Sequence, residues 1–155
     1  MYTSIELTTY VYRTIISHLV DFEEQRDEIV NGLYSEPSAI RDDFSCFLNT
    51  YLIKLEELIK AAQIADKPTR EKLKHLNYLP YVIIGSTVEL EDANGLNTQS
   101  FKIVCPYDNS NSNKDLSYIS SLGRALMLKK PGDVITAEVN RTNHTYKIKS
   151  IRYEL

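Results

Sequence analysis

The sequence predicts an α+β protein. An N-terminal antiparallel helical hairpin, or coiled-coil finger, occupies residues 1–66, a linker follows over 67–80, and a small twisted β-sheet with one short helix fills 81–155. Three observations point there. Apolar residues recur at spacings of three and four through the first part, they alternate with polar ones after Val82, and Pro68 and Pro80 bracket the change of period.

Leu7, Val11, Ile15, Leu19, Phe22, Ile29 and Leu33 form the first stripe, with one gap that leaves Arg26 on the seam. Thr8 or Thr9 caps its start. Asn31-Gly32 supplies a stop, and Ser35-Glu36-Pro37 supplies a cap residue with proline early in a new first turn. The second stripe is Ile40, Phe44, Phe47, Tyr51, Leu55, Leu58 and Ala62, spaced 4, 3, 4, 4, 3 and 4 as in a heptad. Two helices of roughly 23 and 28 residues, about 35 to 42 Å long, can then zip together, with Gly32 to Pro37 as the tip.

Lys67-Pro68 breaks the second helix, and a basic stretch from Arg70 to His75 leads to Leu79-Pro80. Val82 to Glu91 reads as a strand, Asn94-Gly95 as a hairpin turn and Thr98 to Cys105 as the returning strand. Pro106 to Lys114 is a polar loop containing Asp108. Ser117 to Ser120 reads as a short strand and Ser121 to Leu128 as a short helix. Pro131-Gly132-Asp133 then turns into a final hairpin, Val134 to Val139 and Thr145 to Tyr153.

Composition excludes several classes. Of 155 residues, 43% are apolar and 25% charged, and no run approaches the uninterrupted apolar length of a spanning helix, so a soluble cytoplasmic chain is expected. Cys46, Cys105, His18, His75 and His144 are too scattered to suggest a zinc site, a disulfide framework or a Cys-His nucleophile. The net charge of −3 hides an asymmetry: −7 through Asp66 and +4 from Lys67 onward. Such polarity suits two parts that meet different surfaces of one partner, or two ordinary solvated faces. The 11 tyrosines, with no tryptophan, raise base stacking as an idea. Tyr12, Tyr51, Tyr146 and Tyr153 nevertheless fall at seam or strand positions and read as core.

The second half carries motifs that resemble a known family. Val82-Ile83-Ile84-Gly85-Ser86-Thr87-Val88-Glu89-Leu90-Glu91-Asp92, Phe101-Lys102-Ile103-Val104 and the closing Tyr146-Lys147-Ile148-Lys149-Ser150-Ile151-Arg152-Tyr153 follow the pattern of the Gre factors, bacterial transcript-cleavage and elongation factors. Ile119-Ser120-Ser121-Leu122-Gly123-Arg124-Ala125-Leu126-Met127-Leu128-Lys129-Lys130-Pro131-Gly132-Asp133 is the most specific match, with Ser121 and Leu128 replacing the family's proline and glycine. In the arm, Leu7-Thr8-Thr9-Tyr10-Val11-Tyr12 and Leu55-Glu56-Glu57-Leu58 with Ala62 to Asp66 are similar in register.

The resemblance implies a coiled-coil finger and an FKBP-like sheet without isomerase activity. It implies bacterial RNA polymerase as partner, reached through the secondary channel, with the nascent RNA 3′ end contacted only indirectly. A monomer without membrane contact and without a cofactor of its own is expected. The chain is then no enzyme but at most a cofactor of polymerase. Ser120, Gly123, Arg124, Lys129 and Lys130 become docking candidates, since their segment lies in the domain that meets polymerase; a basic solvated edge is the plainer reading.

The tip decides the mechanism. In the family, acidic tip side chains complete the coordination of a second Mg²⁺ in the polymerase active site, and backtracked RNA is cut. Here Gly32-Leu33-Tyr34-Ser35-Glu36-Pro37-Ser38-Ala39-Ile40 places Glu36 on the pattern's glutamate and Leu33 where an aspartate is expected. The finger is also shorter by about nine residues, roughly 2.5 turns shared between two helices. Catalytic candidates are Glu36, with Asp42 and Asp43 as the next acidic pair, lying nearly two turns beyond it and so down the stem. Their plainer readings are a first-turn acid at Glu36 and a solvated helix face at Asp42 and Asp43. Leu33 and Tyr34, apolar at an exposed turn, are tip candidates for a partner contact.

The reading is therefore an elongation regulator that occupies or modulates the secondary channel without cleaving, with cleavage through Glu36 as its alternative. An FKBP-like chaperone or isomerase would need an apolar, aromatic-lined pocket that the sequence does not display. A helical-hairpin adaptor is a third class. An autonomous nuclease fails for want of a closed metal site.

Overall fold

The computed structural model describes residues 4–106 and 114–154. It divides into two compact units, Met1–Leu76 and Asn77–Leu155. The boundary falls within the stretch expected as a linker.

In the first unit the elements are β1 (Glu6–Thr8), α1 (Thr9–Leu33), α2 (Ala39–Ala61), β2 (Gln63–Ala65) and α3 (Arg70–Leu73). Thr8 caps α1, its side chain accepting the Val11 N–H at 3.3 Å. Ser38 caps α2 by accepting the Arg41 N–H at 3.1 Å. Pro37 therefore precedes the cap instead of opening the first turn, and the two helices have 25 and 23 residues rather than 23 and 28. Asn31-Gly32 does not stop α1, because its last turn continues to Leu33 and Tyr34 closes it by donating its N–H to the Val30 carbonyl at 2.8 Å.

The helices pack antiparallel. Val11, Ile15, Phe22 and Val30 of α1 are buried, as are Phe44, Leu48, Tyr51, Leu55 and Leu58 of α2. Each such aliphatic side chain, removed from water, contributes about 1.5 to 3 kcal/mol before entropy is charged against it. The seam differs from the sequence reading on both helices: on α1 Val30 is buried where Ile29 was expected and Leu19 is only half-buried. Leu48 takes the fully buried place assigned to Phe47, and Ile40 points outward with 63% of its surface exposed. The hairpin is also not helical to Asp66. Its two ends straighten and pair as parallel strands, Glu6 with Gln63, Leu7 with Ile64 and Thr8 with Ala65, so that Leu7 is buried beneath this clasp. A three-residue strand and one helical turn place apolar side chains too similarly for periodicity to separate them.

In the second unit β3 (Thr87–Asp92), β4 (Thr98–Val104), β5 (Asp115–Ser117), β6 (Val134–Val139) and β7 (Thr142–Arg152) form one sheet in the order β5-β4-β3-β7-β6, with α4 (Ser121–Leu126) between β5 and β6 in sequence. All neighbours are antiparallel except β4 with β5. The β3–β4 turn uses Gly95 at φ +72°, a conformation that glycine adopts without a Cβ penalty. A bulge separates Glu89 from Leu90 where β3 meets β7.

Val88, Leu90, Ile103, Ile148 and Ile151 supply the buried face of the sheet, and Leu122, Leu126 and Tyr118 add to the core. The strand expected from Val82 begins only at Thr87. Tyr81 to Ile84 are buried consecutively, without the alternation of a half-exposed strand. Val82 instead exchanges backbone hydrogen bonds with Leu128 and Lys129, and the Ser86 hydroxyl donates to the Ile83 carbonyl at 2.6 Å. The strand read at Ser117–Ser120 lies earlier, at Asp115–Ser117, because Ser120 caps α4. The helix ends at Leu126 rather than Leu128, and β7 begins three residues before Thr145. Most of the polar loop, including Asp108, lies outside the described residues. No helix among the described residues is long and apolar enough to cross a membrane.

Candidate functional site

The tip of the finger is built by aromatic packing and one arginine. The Tyr34 ring lies 5.2 Å from that of Phe44, tilted by 57°. Arg41 donates from Nη1 to the Tyr34 carbonyl at 2.7 Å, and its backbone N–H is held by Ser38. One residue thus ties the end of α1 to the start of α2. Leu33 and Tyr34 are half-buried as a result, not an exposed apolar turn. Sequence reasoning missed Arg41, although a cation in a helix's first turn, where the dipole disfavours it, was a legible oddity.

Ser35, Glu36 and Pro37 are the exposed crown of the turn. Glu36 lies outside both helices, which corrects its reading as a first-turn acid; its carboxylate makes no ion pair or hydrogen bond among the described residues. The first-turn acid is Asp42, with Asp43 directly after it, and both are exposed. They belong to the start of α2, nearer the crown than the sequence placed them. Adjacent helix residues diverge by about 100°, so Asp42 and Asp43 do not converge on one point. No group of three or more His, Cys, Asp or Glu among the described residues is arranged to hold a metal ion. On its own the tip offers carboxylates that are not arranged around one point, and a Mg²⁺ shell would have to come almost wholly from elsewhere.

Below the tip the seam carries two polar layers. Arg26 reaches Ser45 Oγ from Nη2 at 3.4 Å, while its buried Nε finds no partner. Deeper, His18 Nε2 and the Tyr51 hydroxyl are hydrogen-bonded at 2.7 Å, with the His18 ring 4.4 Å from that of Phe22. Burial pushes the His18 imidazole down to about 4, against an opposing pull from Asp21.

In the second unit the docking candidates divide. Ser120 caps α4, accepting the Gly123 N–H at 3.1 Å and donating its hydroxyl to the Ser117 carbonyl at 2.7 Å. A Cβ on Gly123 would collide with that same carbonyl oxygen. Both residues therefore shape the β5–α4 corner. Arg124 is half-buried, and Lys129 and Lys130 are exposed on the segment after α4, where Asp133 accepts the Lys130 N–H at 2.8 Å. The fully buried Tyr51 and the largely buried Tyr146 are core, as expected, whereas Tyr12 and Tyr153 are half-buried. Burial raises the Tyr146 phenol, and nearby Asp92 adds to that rise. A shallow groove beside it has Glu91, Asp92 and Lys147 among its lining. Tyr146 is the sole aromatic residue of that lining among the described residues.

The chain is similar to known proteins along most of its length. Residues 80–153 match the family model described as transcription elongation factor, GreA/GreB, C-terminal. The transcription elongation factor GreA of Desulfovibrio desulfuricans is 24% identical over 162 aligned residues, which cover 98% of this chain and 96% of the relative. GreA of Clostridium kluyveri is 31% identical over 106, covering 68% and 62%. A solved GreA/GreB factor from Nitrosomonas europaea is 18% identical with a TM-score of 0.45, across 97% of this chain and 100% of that one. The sheet unit matches the GreA/GreB C-terminal model over nearly its full length, and the likeness to GreA extends through the hairpin over 98% of the chain: this protein is similar to the Gre factors, a family of transcription elongation factors.

Proposed function

We propose that this chain binds RNA polymerase, enters its secondary channel with the finger, and modulates elongation without stimulating RNA cleavage. The observation that carries the reading is the tip. Position 33, where the resemblance leads one to expect an aspartate, holds a half-buried leucine that ends α1. Glu36 is left as a lone carboxylate, and the next acids start a different helix. Coordination of a weakly held Mg²⁺ needs oxygens at about 2.0 to 2.1 Å in near-octahedral array, which one flexible carboxylate on a shortened finger supplies poorly. The chain contributes occupancy and shape; Lys129 and Lys130 present cations to an acidic docking face.

The test uses backtracked elongation complexes of the cognate polymerase, with wild-type protein, Glu36→Ala and Leu33→Asp. Wild type is expected to leave the RNA uncut and to inhibit cleavage by an authentic Gre factor in a dose-dependent way. Glu36-dependent cleavage would instead establish a working tip and overturn the non-cleaving reading. Gain of cleavage in Leu33→Asp would show that the missing carboxylate, not finger length, silences the site.

A further inference from the structure

The two halves of the finger differ in apolar burial and in ion pairing. At the base, Leu7, Val11, Ile15, Leu48, Tyr51, Leu55 and Leu58 are each no more than 1% exposed. Two exposed ion pairs, Lys54–Glu57 at 3.4 Å and Lys60–Glu56 at 3.0 Å, run along α2. The strand clasp closes the ends, and Lys72 approaches Glu6 at 3.4 Å.

Beyond the Arg26–Ser45 layer only Val30 and Phe44 are buried. That layer joins the helices by a long 3.4 Å contact and leaves Arg26 Nε buried without a protein partner among the described residues. A buried donor without a partner costs about 1 to 3 kcal/mol. The charges there are nearly all of one sign: from Asp27 to Phe44 there are five acidic residues and one basic one, whereas Thr9–Gln25 and Cys46–Ala61 together hold five acidic and three basic. None of the five acids makes an ion pair among the described residues. Like charges one turn apart repel each other, and dissolved cations relieve that repulsion.

We infer that the finger is a two-stage device, in which the segment beyond the Arg26–Ser45 layer opens as one unit while the base stays closed, with the opening set by the ionic medium. Arg26 is the hinge layer. On the α1 side it interrupts the apolar seam between Phe22 and Val30, while along α2 the rings of Phe44, Phe47 and Tyr51 remain in contact at 6.3 and 5.9 Å. Local opening of this kind follows from sparse apolar contact and unsatisfied polar groups, and needs no flexible sequence. The inference does not depend on the proposed action at polymerase.

Native-state amide hydrogen exchange on the full chain tests it. Amides of residues 27–33 and 43–44 are expected to open at least about tenfold more often than those of 11–18 and 51–58, and to do so with one shared opening constant. Arg26→Leu should lower distal opening about tenfold and leave the base unchanged; Arg26→Met serves if the leucine variant folds poorly. Raising NaCl from about 10 to 200 mM should slow distal exchange in the wild type relative to the base. Equal opening in both halves would overturn the inference. So would a smooth fraying gradient from the tip that ignores Arg26→Leu, or distal exchange that does not respond to salt.

Discussion

His18 shows how much one seam residue can set. It lies three residues after Ile15 and four before Phe22, so it occupies a true stripe position, yet a search for apolar residues passes over it in favour of Leu19. Its imidazole stays neutral because burial disfavours the charge, with a folded value near 4 against 6.5 in the unfolded chain. Between these values the unfolded chain binds the proton and the folded one does not. The stability from this group is therefore complete above about pH 6.5 and declines as pH falls towards 4, with about 2 kcal/mol lost by pH 5. Urea midpoints at pH 7.5 and 5 should show this slope in the wild type, and His18→Gln should flatten it. An unchanged slope in the variant would assign the acid sensitivity to carboxylates instead. Other residues were plainer in the sequence. Thr8 was readable as a cap and Arg26 as a seam intruder, because each rests on local spacing. Leu128, at φ +63° where the family carries glycine, shows its cost only when the backbone is seen.

At the level of elements, long periodic segments were legible and short or extended ones were not. Both finger helices and the β6 strand could be drawn within a few residues, since many side chains vote together on their period. The clasp strands escaped because three residues carry too few votes, and Tyr81 to Ile84 escaped because a segment buried on all sides loses its alternation. The last hairpin hid its turn for a different reason. Asn140 and Arg141 both adopt left-handed backbone, at φ +54° and +66°, the geometry of a two-residue turn that favours Asn-Gly. Arginine there carries a Cβ penalty of about 1 kcal/mol, so Arg141→Gly should raise the unfolding free energy by about that amount, less what the glycine adds to the freedom of the unfolded chain. A higher urea midpoint at unchanged slope would bear this out; a lower one would show that the Arg141 side chain matters more than its backbone.

Taken whole, the chain joins a family domain that is conventional in sequence to a finger whose end is not. The fold class and the family motifs were available from the residues, because burial and turn chemistry act locally and repeat. The tip geometry was not, since it depends on Arg41 reaching back across the turn to Tyr34 and on where α2 begins. The clasp has a final consequence. Because β1 and β2 pair in parallel, the hairpin is fastened at both extremities: covalently at the crown, and by backbone hydrogen bonds at the foot. The peptide bond at the crown is therefore not what keeps the helices together. A single protease nick between Ser35 and Ser38 should leave two fragments that co-migrate on a sizing column and part only in denaturant, one of them carrying α1 as a non-covalent splint. Fragments that separate without denaturant would show that the foot does not hold alone.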